Sequence, residues 1–128
     1  MKKSTKNLLF LTSAVIAGMH IYNRVVDSNA ERKNALKEDN GHYYKWKEGN
    51  IFYTKTGTGK PILLIHDTDS GASGEEWAKV AKKLAKNNTI YTIDLLGCGR
   101  SDKPSIQYTS YMYVQIITAF VNDVIGKP

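Results

Sequence analysis

Cysteine is nearly absent from this chain, and that absence is informative. Cys98 is the one cysteine in 128 residues, so an intrachain disulfide and a multi-cysteine metal site are both excluded. Histidine is almost as scarce, with only His20, His42 and His66. His66-Asp67-Thr68-Asp69 pairs one histidine with carboxylates, but no second histidine lies near it in sequence. A strand-end loop explains that run more cheaply than a metal site. Proline is also sparse, three residues in all, and none interrupts the first sixty positions. No internal repeat and no low-complexity segment is present.

Strong charge of one sign is missing too. Lys plus Arg exceed Asp plus Glu by 18 − 12 = 6, but the excess is divided. Residues 1–40 hold seven basic and four acidic groups, and residues 41–128 hold eleven and eight. The one basic cluster, Lys79, Lys82, Lys83 and Lys86, fits the wet face of an amphipathic helix. It lacks the density and the stacking aromatics of a phosphate-binding stripe, so a nucleic-acid partner is not expected.

Long apolar runs are limited to one. Lys2, Lys3 and Lys6 precede Leu8–Tyr22, which contains no Asp, Glu, Lys or Arg. A basic flank before an apolar stretch is the layout of a membrane anchor or a signal segment. Fifteen helical residues reach only about 22 Å against a hydrocarbon core of about 30 Å. Snorkelling of Asn23 and Arg24 would let Val25 and Val26 extend the contact, giving a membrane segment over residues 8–26. Cleavage after Ala17 is the competing reading, and it leaves an apolar region of only about seven residues. The expectation is an anchor over 1–24, a helical connector over 25–40 ending at Asn40-Gly41, and a domain over 41–128. Cations on both sides of the run leave its orientation open.

Within 41–128 the pattern changes. Tyr43–Lys47 and Ile51–Lys55 flank Glu48-Gly49-Asn50, which predicts a hairpin. Ile62–Ile65 is apolar without alternation, as suits a strand covered on both faces. Ser73 and Glu76 have capping-box spacing and open a helix with Trp77, Val80, Ala81 and Leu84 on one face. Ile90–Ile93 is a second buried strand. Tyr111, Val114, Ile116, Ile117, Val121 and Val124 mark a last helix, stopping at Gly126-Lys127-Pro128. The order hairpin, strand, helix, strand, helix describes an α/β sheet that begins antiparallel and becomes parallel.

Two short motifs fail on inspection. Gly57-Thr58-Gly59-Lys60 lacks the first glycine and the final Ser or Thr of a phosphate loop, and it precedes a strand rather than a helix. Gly97-Cys98-Gly99 lacks the third glycine of a dinucleotide fingerprint. Gly99-Arg100-Ser101 is half of a nucleophile elbow, but Lys103 replaces its closing glycine and Pro104 follows. Ser101 is therefore expected to stabilise a turn rather than attack a substrate.

The combination carries more than its parts. Pro61-Ile62-Leu63-Leu64-Ile65-His66, then Trp77 and Leu84, then Ile93-Asp94-Leu95-Leu96-Gly97-Cys98-Gly99-Arg100-Ser101-Asp102-Lys103-Pro104 resembles the N-terminal portion of an α/β-hydrolase. The resemblance covers about residues 42–128. It implies a serine hydrolase acting on an ester- or amide-type small substrate, with no cofactor. By the same resemblance the third strand ends in a loop that offers a backbone N–H to an oxyanion, and Thr68 matches that donor. His66 and Asp67 match the support of that loop, although Asp67 stands where the family usually has glycine. Asp94, Gly97, Gly99 and Ser101 match a structural turn.

The nucleophile, the acid and the late histidine are expected beyond Pro128, so no catalytic residue is assigned within this chain and the chain alone is expected to be inactive. The Ile62–Ile65 strand would then be an open apolar edge. A second expectation, from a different class, is a non-catalytic, membrane-tethered binding or scaffold protein on the same fold; Asp67 is the residue that favours it.

Overall fold

The computed structural model describes residues 3–33, 36, 41–69 and 71–126. It divides into two compact units, Met1–Lys37 and Glu38–Pro128. Lys2, Asn40, Lys127 and Pro128, and most of the expected connector beyond residue 33, lie outside the described residues.

The first unit is one helix, α1, over Lys3–Lys33. No proline or helix-breaking pair interrupts it, and 31 residues extend about 46 Å at 1.5 Å per residue. Phe10, Val15, Ile16, Met19, Ile21 and Tyr22 are all exposed on it. Among the described residues no helix is long and apolar enough to cross a membrane. A membrane-spanning anchor is thus not supported.

The second unit is built on a four-stranded sheet in the order β1-β2-β4-β3. Strands β1 (His42–Trp46) and β2 (Gly49–Thr56) form an antiparallel hairpin whose register pairs Tyr44 with Ile51 and Trp46 with Gly49. The turn is the two residues Lys47-Glu48, one position earlier than the sequence suggested. Gly49 and Asn50 already belong to β2, which shortens the loop to the length hairpins prefer. Strand β4 (Asn88–Ile93) pairs antiparallel with β2, and β3 (Lys60–Ile65) pairs parallel with β4. The sheet therefore begins antiparallel and turns parallel. β3 has β4 on one side and no strand on the other among the described residues.

Between β3 and β4 lies the crossover. It starts as a 3₁₀ turn, Gly74–Trp77, and continues as helix α2, Ala78–Leu84. The expected capping box is not made. Ser73 is buried and forms no side-chain cap; only its carbonyl takes part, accepting the Glu76 N–H at 3.2 Å. Val80, expected in the core, is exposed, and Ala81 alone of α2 is buried. The 3₁₀ start shifts the rotation of the helix, so the apolar face read at an ideal 3.6 period is misplaced.

Helix α3 (Ser110–Phe120) closes the other face of the sheet. The Thr109 side chain caps it, its Oγ1 accepting the Met112 N–H at 3.2 Å. The buried stripe is Met112, Ile116 and Phe120, while Tyr111 and Val114, expected inside, are exposed. Phe120 decides this rotation. Its ring meets Tyr44, Tyr53 and Tyr91 edge-on, at 5.7, 5.0 and 6.3 Å between centroids. Such contacts outweigh the burial of a valine. Ile51, Tyr91, Ile93, Leu96 and Ile116 complete that core. A single π turn, Val121–Ile125, ends the helix, and Gly126 closes it.

Candidate functional site

Two loops meet at the carboxyl ends of β3 and β4. One is His66-Asp67-Thr68-Asp69, the other Asp94 to Asp102.

His66 is the joint between them. It is 4 % exposed, and its Nε2 accepts the Leu95 N–H at 2.8 Å. An acceptor nitrogen carries no proton, so the proton of this neutral ring resides on Nδ1. Nδ1–H donates to the Asp67 carbonyl at 2.5 Å. One imidazole therefore ties the end of β3 to the end of β4 and fixes the backbone of residue 67. His66 has both ring nitrogens engaged and is not available as a base.

Thr68, the expected oxyanion donor, does sit in this loop. Its N–H points at the carboxylate of its neighbour, with Thr68 N to Asp67 Oδ1 at 2.6 Å. The anion on this donor is thus the chain's own. Asp69 closes the loop, its carbonyl accepting the Ala72 N–H at 3.0 Å and facing the Cys98 thiol at 3.6 Å.

The second loop is organised by Asp94, which is 1 % exposed. Oδ1 accepts the Gly74 N–H at 2.6 Å, and Oδ2 accepts the N–H and Nε–H of Arg100 at 2.8 and 3.0 Å. Its carbonyl accepts the Ser101 hydroxyl at 2.5 Å. The same Ser101 oxygen accepts the Phe52 N–H at 2.8 Å, so this serine bridges the turn to β2. It is 3 % exposed with its proton committed. Its chemistry is structural, with no base beside it. Gly99 has φ +49, and a Cβ there would fall 2.2 Å from Asp94 Oδ2. Gly97 has φ +90, and a Cβ there would fall 2.7 Å from the Tyr108 ring. Glycine is required at both by backbone angle and by space.

Two residues of this loop were not foreseen. Arg100 lies with its guanidinium 4.2 Å from the centre of the Phe52 ring and pairs with Asp94. Asp102 holds the hairpin, its Oδ2 accepting from the Asn50 N–H and Nδ2 at 2.8 and 3.0 Å. Alternation along β2 places Phe52 on the face opposite Ile51, and no local pattern announces these partners, which lie about fifty residues away. Cys98 is buried beside Tyr108 and Tyr113, and burial pushes its thiol above the ordinary range. That is the reverse of an activated thiolate.

A cavity of about 500 Å³ lies elsewhere, on the α2 face of the sheet among Thr54, Thr56, Gly74, Ala78, Ala81 and Thr92. None of residues 66–69 lines it. Among the described residues no group of three or more His, Cys, Asp or Glu could hold a metal ion. The arrangement offers one backbone donor in a clamped loop, with neither a nucleophile nor a free base next to it.

No family model matches the chain. It is 34% identical over 70 residues, 54% of this chain and 24% of the relative, to 2-hydroxy-6-oxo-6-(2'-aminophenyl)hexa-2,4-dienoic acid hydrolase of Metapseudomonas resinovorans. It is 34% identical over 59 residues, 46% of this chain and 19% of the relative, to haloalkane dehalogenase of Agrobacterium fabrum. Among solved structures, an α/β hydrolase fold protein from Burkholderia ambifaria superposes with a TM-score of 0.62 at 26% identity, covering 66% of this chain and 31% of that one. The chain therefore matches less than a quarter of the length of these two curated relatives, 24% and 19%. Over the part of the chain that they cover, these likenesses point to the α/β-hydrolase fold family.

Proposed function

We propose that residues 41–128 are the N-terminal part of a hydrolase that attacks an ester- or amide-type bond of a small substrate through a serine nucleophile supplied by a longer form of the protein. The observation that carries this reading is the loop at the end of β3. There, His66 clamps the backbone of residue 67, which supports reading the neighbouring Thr68 N–H as the oxyanion donor. The open edge of β3 supports it, since a two-faced apolar strand without an outer neighbour calls for one. The named activities of the relatives, a dienoic acid hydrolase and a haloalkane dehalogenase, are both reactions of small molecules. Residues 1–128 alone are inactive on this reading, and the coding sequence tests it. A frame continuing into Gly-x-Ser-x-Gly and a later histidine supports it. A frame that lacks both overturns it.

A second reading is favoured by one contact. The Asp67 carboxylate occupies the Thr68 N–H, which suits a non-catalytic, membrane-tethered binding or scaffold protein on the same fold. The same sequence test separates the two.

We also propose that α1 holds the protein at a membrane, through the apolar residues 8–26 behind Lys2, Lys3 and Lys6. Fractionation of cells expressing the chain, in neutral low-salt buffer, tests this. Retention in the membrane pellet is expected, and release into the supernatant would contradict it.

A further inference from the structure

Asp67 is exposed, so its carboxylate could be fully solvated by water. Its Oδ1 instead sits 2.6 Å from the backbone nitrogen of the next residue, a close approach of a charged acceptor to an N–H donor. The peptide that carries this pair is held from the other side. The His66 ring donates to the Asp67 carbonyl at 2.5 Å and accepts from Leu95 at 2.8 Å. Ring and backbone are thus locked to β4, while the Asp67 side chain projects outward and can rotate about its own bonds. A fixed frame and a movable carboxylate are the two parts of a latch.

We propose that Asp67 is a removable latch on the Thr68 N–H, an autoinhibitory contact that fills the oxyanion position with the chain's own anion until the side chain swings away. This rests on the reading of Thr68 as an oxyanion donor. In the latched state the donor is occupied, and a full negative charge stands where the reaction would develop another. Loss of a single oxyanion donor slows acyl transfer about 10²–10³-fold. When the side chain leaves, Thr68 N–H is exposed without any backbone rearrangement, because the His66 clamp does not depend on the carboxylate.

Amide hydrogen exchange by NMR on the ¹⁵N-labelled 128-residue chain tests the latch, with Thr68 and Leu95 read together. After correction for intrinsic rates, Thr68 should exchange about tenfold faster in Asp67→Gly than in the unsubstituted chain, the loss expected for one charge-assisted hydrogen bond. Leu95, held by His66, should stay within about twofold, because its bond is independent of the carboxylate. Asp67→Asn keeps an acceptor without the charge and should fall between the two; it also reads the latch if the glycine variant does not fold. Equal Thr68 exchange in all three proteins would overturn the proposal, as would a parallel rise at Leu95, which would make Asp67 part of the frame. A coding sequence without a nucleophile elbow would remove the oxyanion reading while leaving the exchange result standing, so the two failures are distinguishable.

Discussion

Replacing Asp94 by Asn changes one oxygen to a nitrogen at the most enclosed polar group of the second unit. The carboxylate accepts three hydrogen bonds, from the Gly74 N–H at 2.6 Å and from two Arg100 donors at 2.8 and 3.0 Å. An amide can accept on one side only, so its NH₂ must face either Gly74 or Arg100, donor against donor, at a site only 1% exposed. The Arg100 side chain is 11% exposed and loses the counter-ion at 3.0 Å. Glu75, at 3.7 Å and 61% exposed, replaces little of that interaction. Breaking a buried pair from one side costs about 3–5 kcal/mol, and the isosteric swap places the expectation near the lower end, about 3 kcal/mol. The individual bonds are not summed, because a shared network is not additive.

A domain of this size has about 5–15 kcal/mol in total, so the loss is severe. It corresponds to a fall in melting temperature of roughly 12–24 °C at 4–8 °C per kcal/mol. Urea denaturation followed by circular dichroism at low micromolar concentration measures it. Asp94→Asn/Arg100→Met, which removes both charges, should recover part of the loss. A midpoint shift worth less than about 0.5 kcal/mol for Asp94→Asn would refute the reasoning, since that is the scale of an ordinary surface change.

Three further outcomes are expected. Gly99→Ala, at φ +49 with Asp94 Oδ2 2.2 Å from the new Cβ, should destabilise by about 2 kcal/mol in the same assay through backbone strain and displacement of the carboxylate. The chain should self-associate through the β3 edge that no other strand covers among the described residues, and Leu64→Lys should raise the concentration at which light scattering detects assemblies. The Tyr44 hydroxyl donates to Asp123 at 2.6 Å, and desolvation, with Asp123 adding to it, pushes its pKa from 10.0 to about 12. A raised folded-state value means a stabilisation present in full below pH 10.0 and lost as the pH climbs to about 12. Tyr44→Phe should flatten that alkaline decline.

The strands were legible because their signal is local. Ile62–Ile65 and Ile90–Ile93 are continuous apolar runs, and Tyr43–Lys47 with Ile51–Lys55 frame a turn; all lie within a residue or two of the observed elements. The helix faces were not. Tyr111 and Val114 look like core in a 3.6 pattern, but Phe120 docks against three tyrosines from three different strands and sets the rotation. No neighbour in sequence announces that meeting. The α2 face failed for a local reason, since a 3₁₀ start shifts the phase of the residues after it. At the site, Asp67 stood out as a departure, but only coordinates could place its carboxylate on the Thr68 N–H. Arg100 and Asp102 were invisible as partners because Phe52 and Asn50, which they contact, lie about fifty residues away.

We propose that this chain holds a structural turn and one clamped donor loop of an α/β-hydrolase fold, and that none of the described residues is its nucleophile. Turnover of a p-nitrophenyl ester by the purified 128-residue chain tests it most directly. A rate no faster than buffer, unchanged in Ser101→Ala, is expected. Turnover above buffer that Ser101→Ala abolishes would contradict it, because it would make a serine hydrogen-bonded to Asp94 and Phe52 the catalytic group.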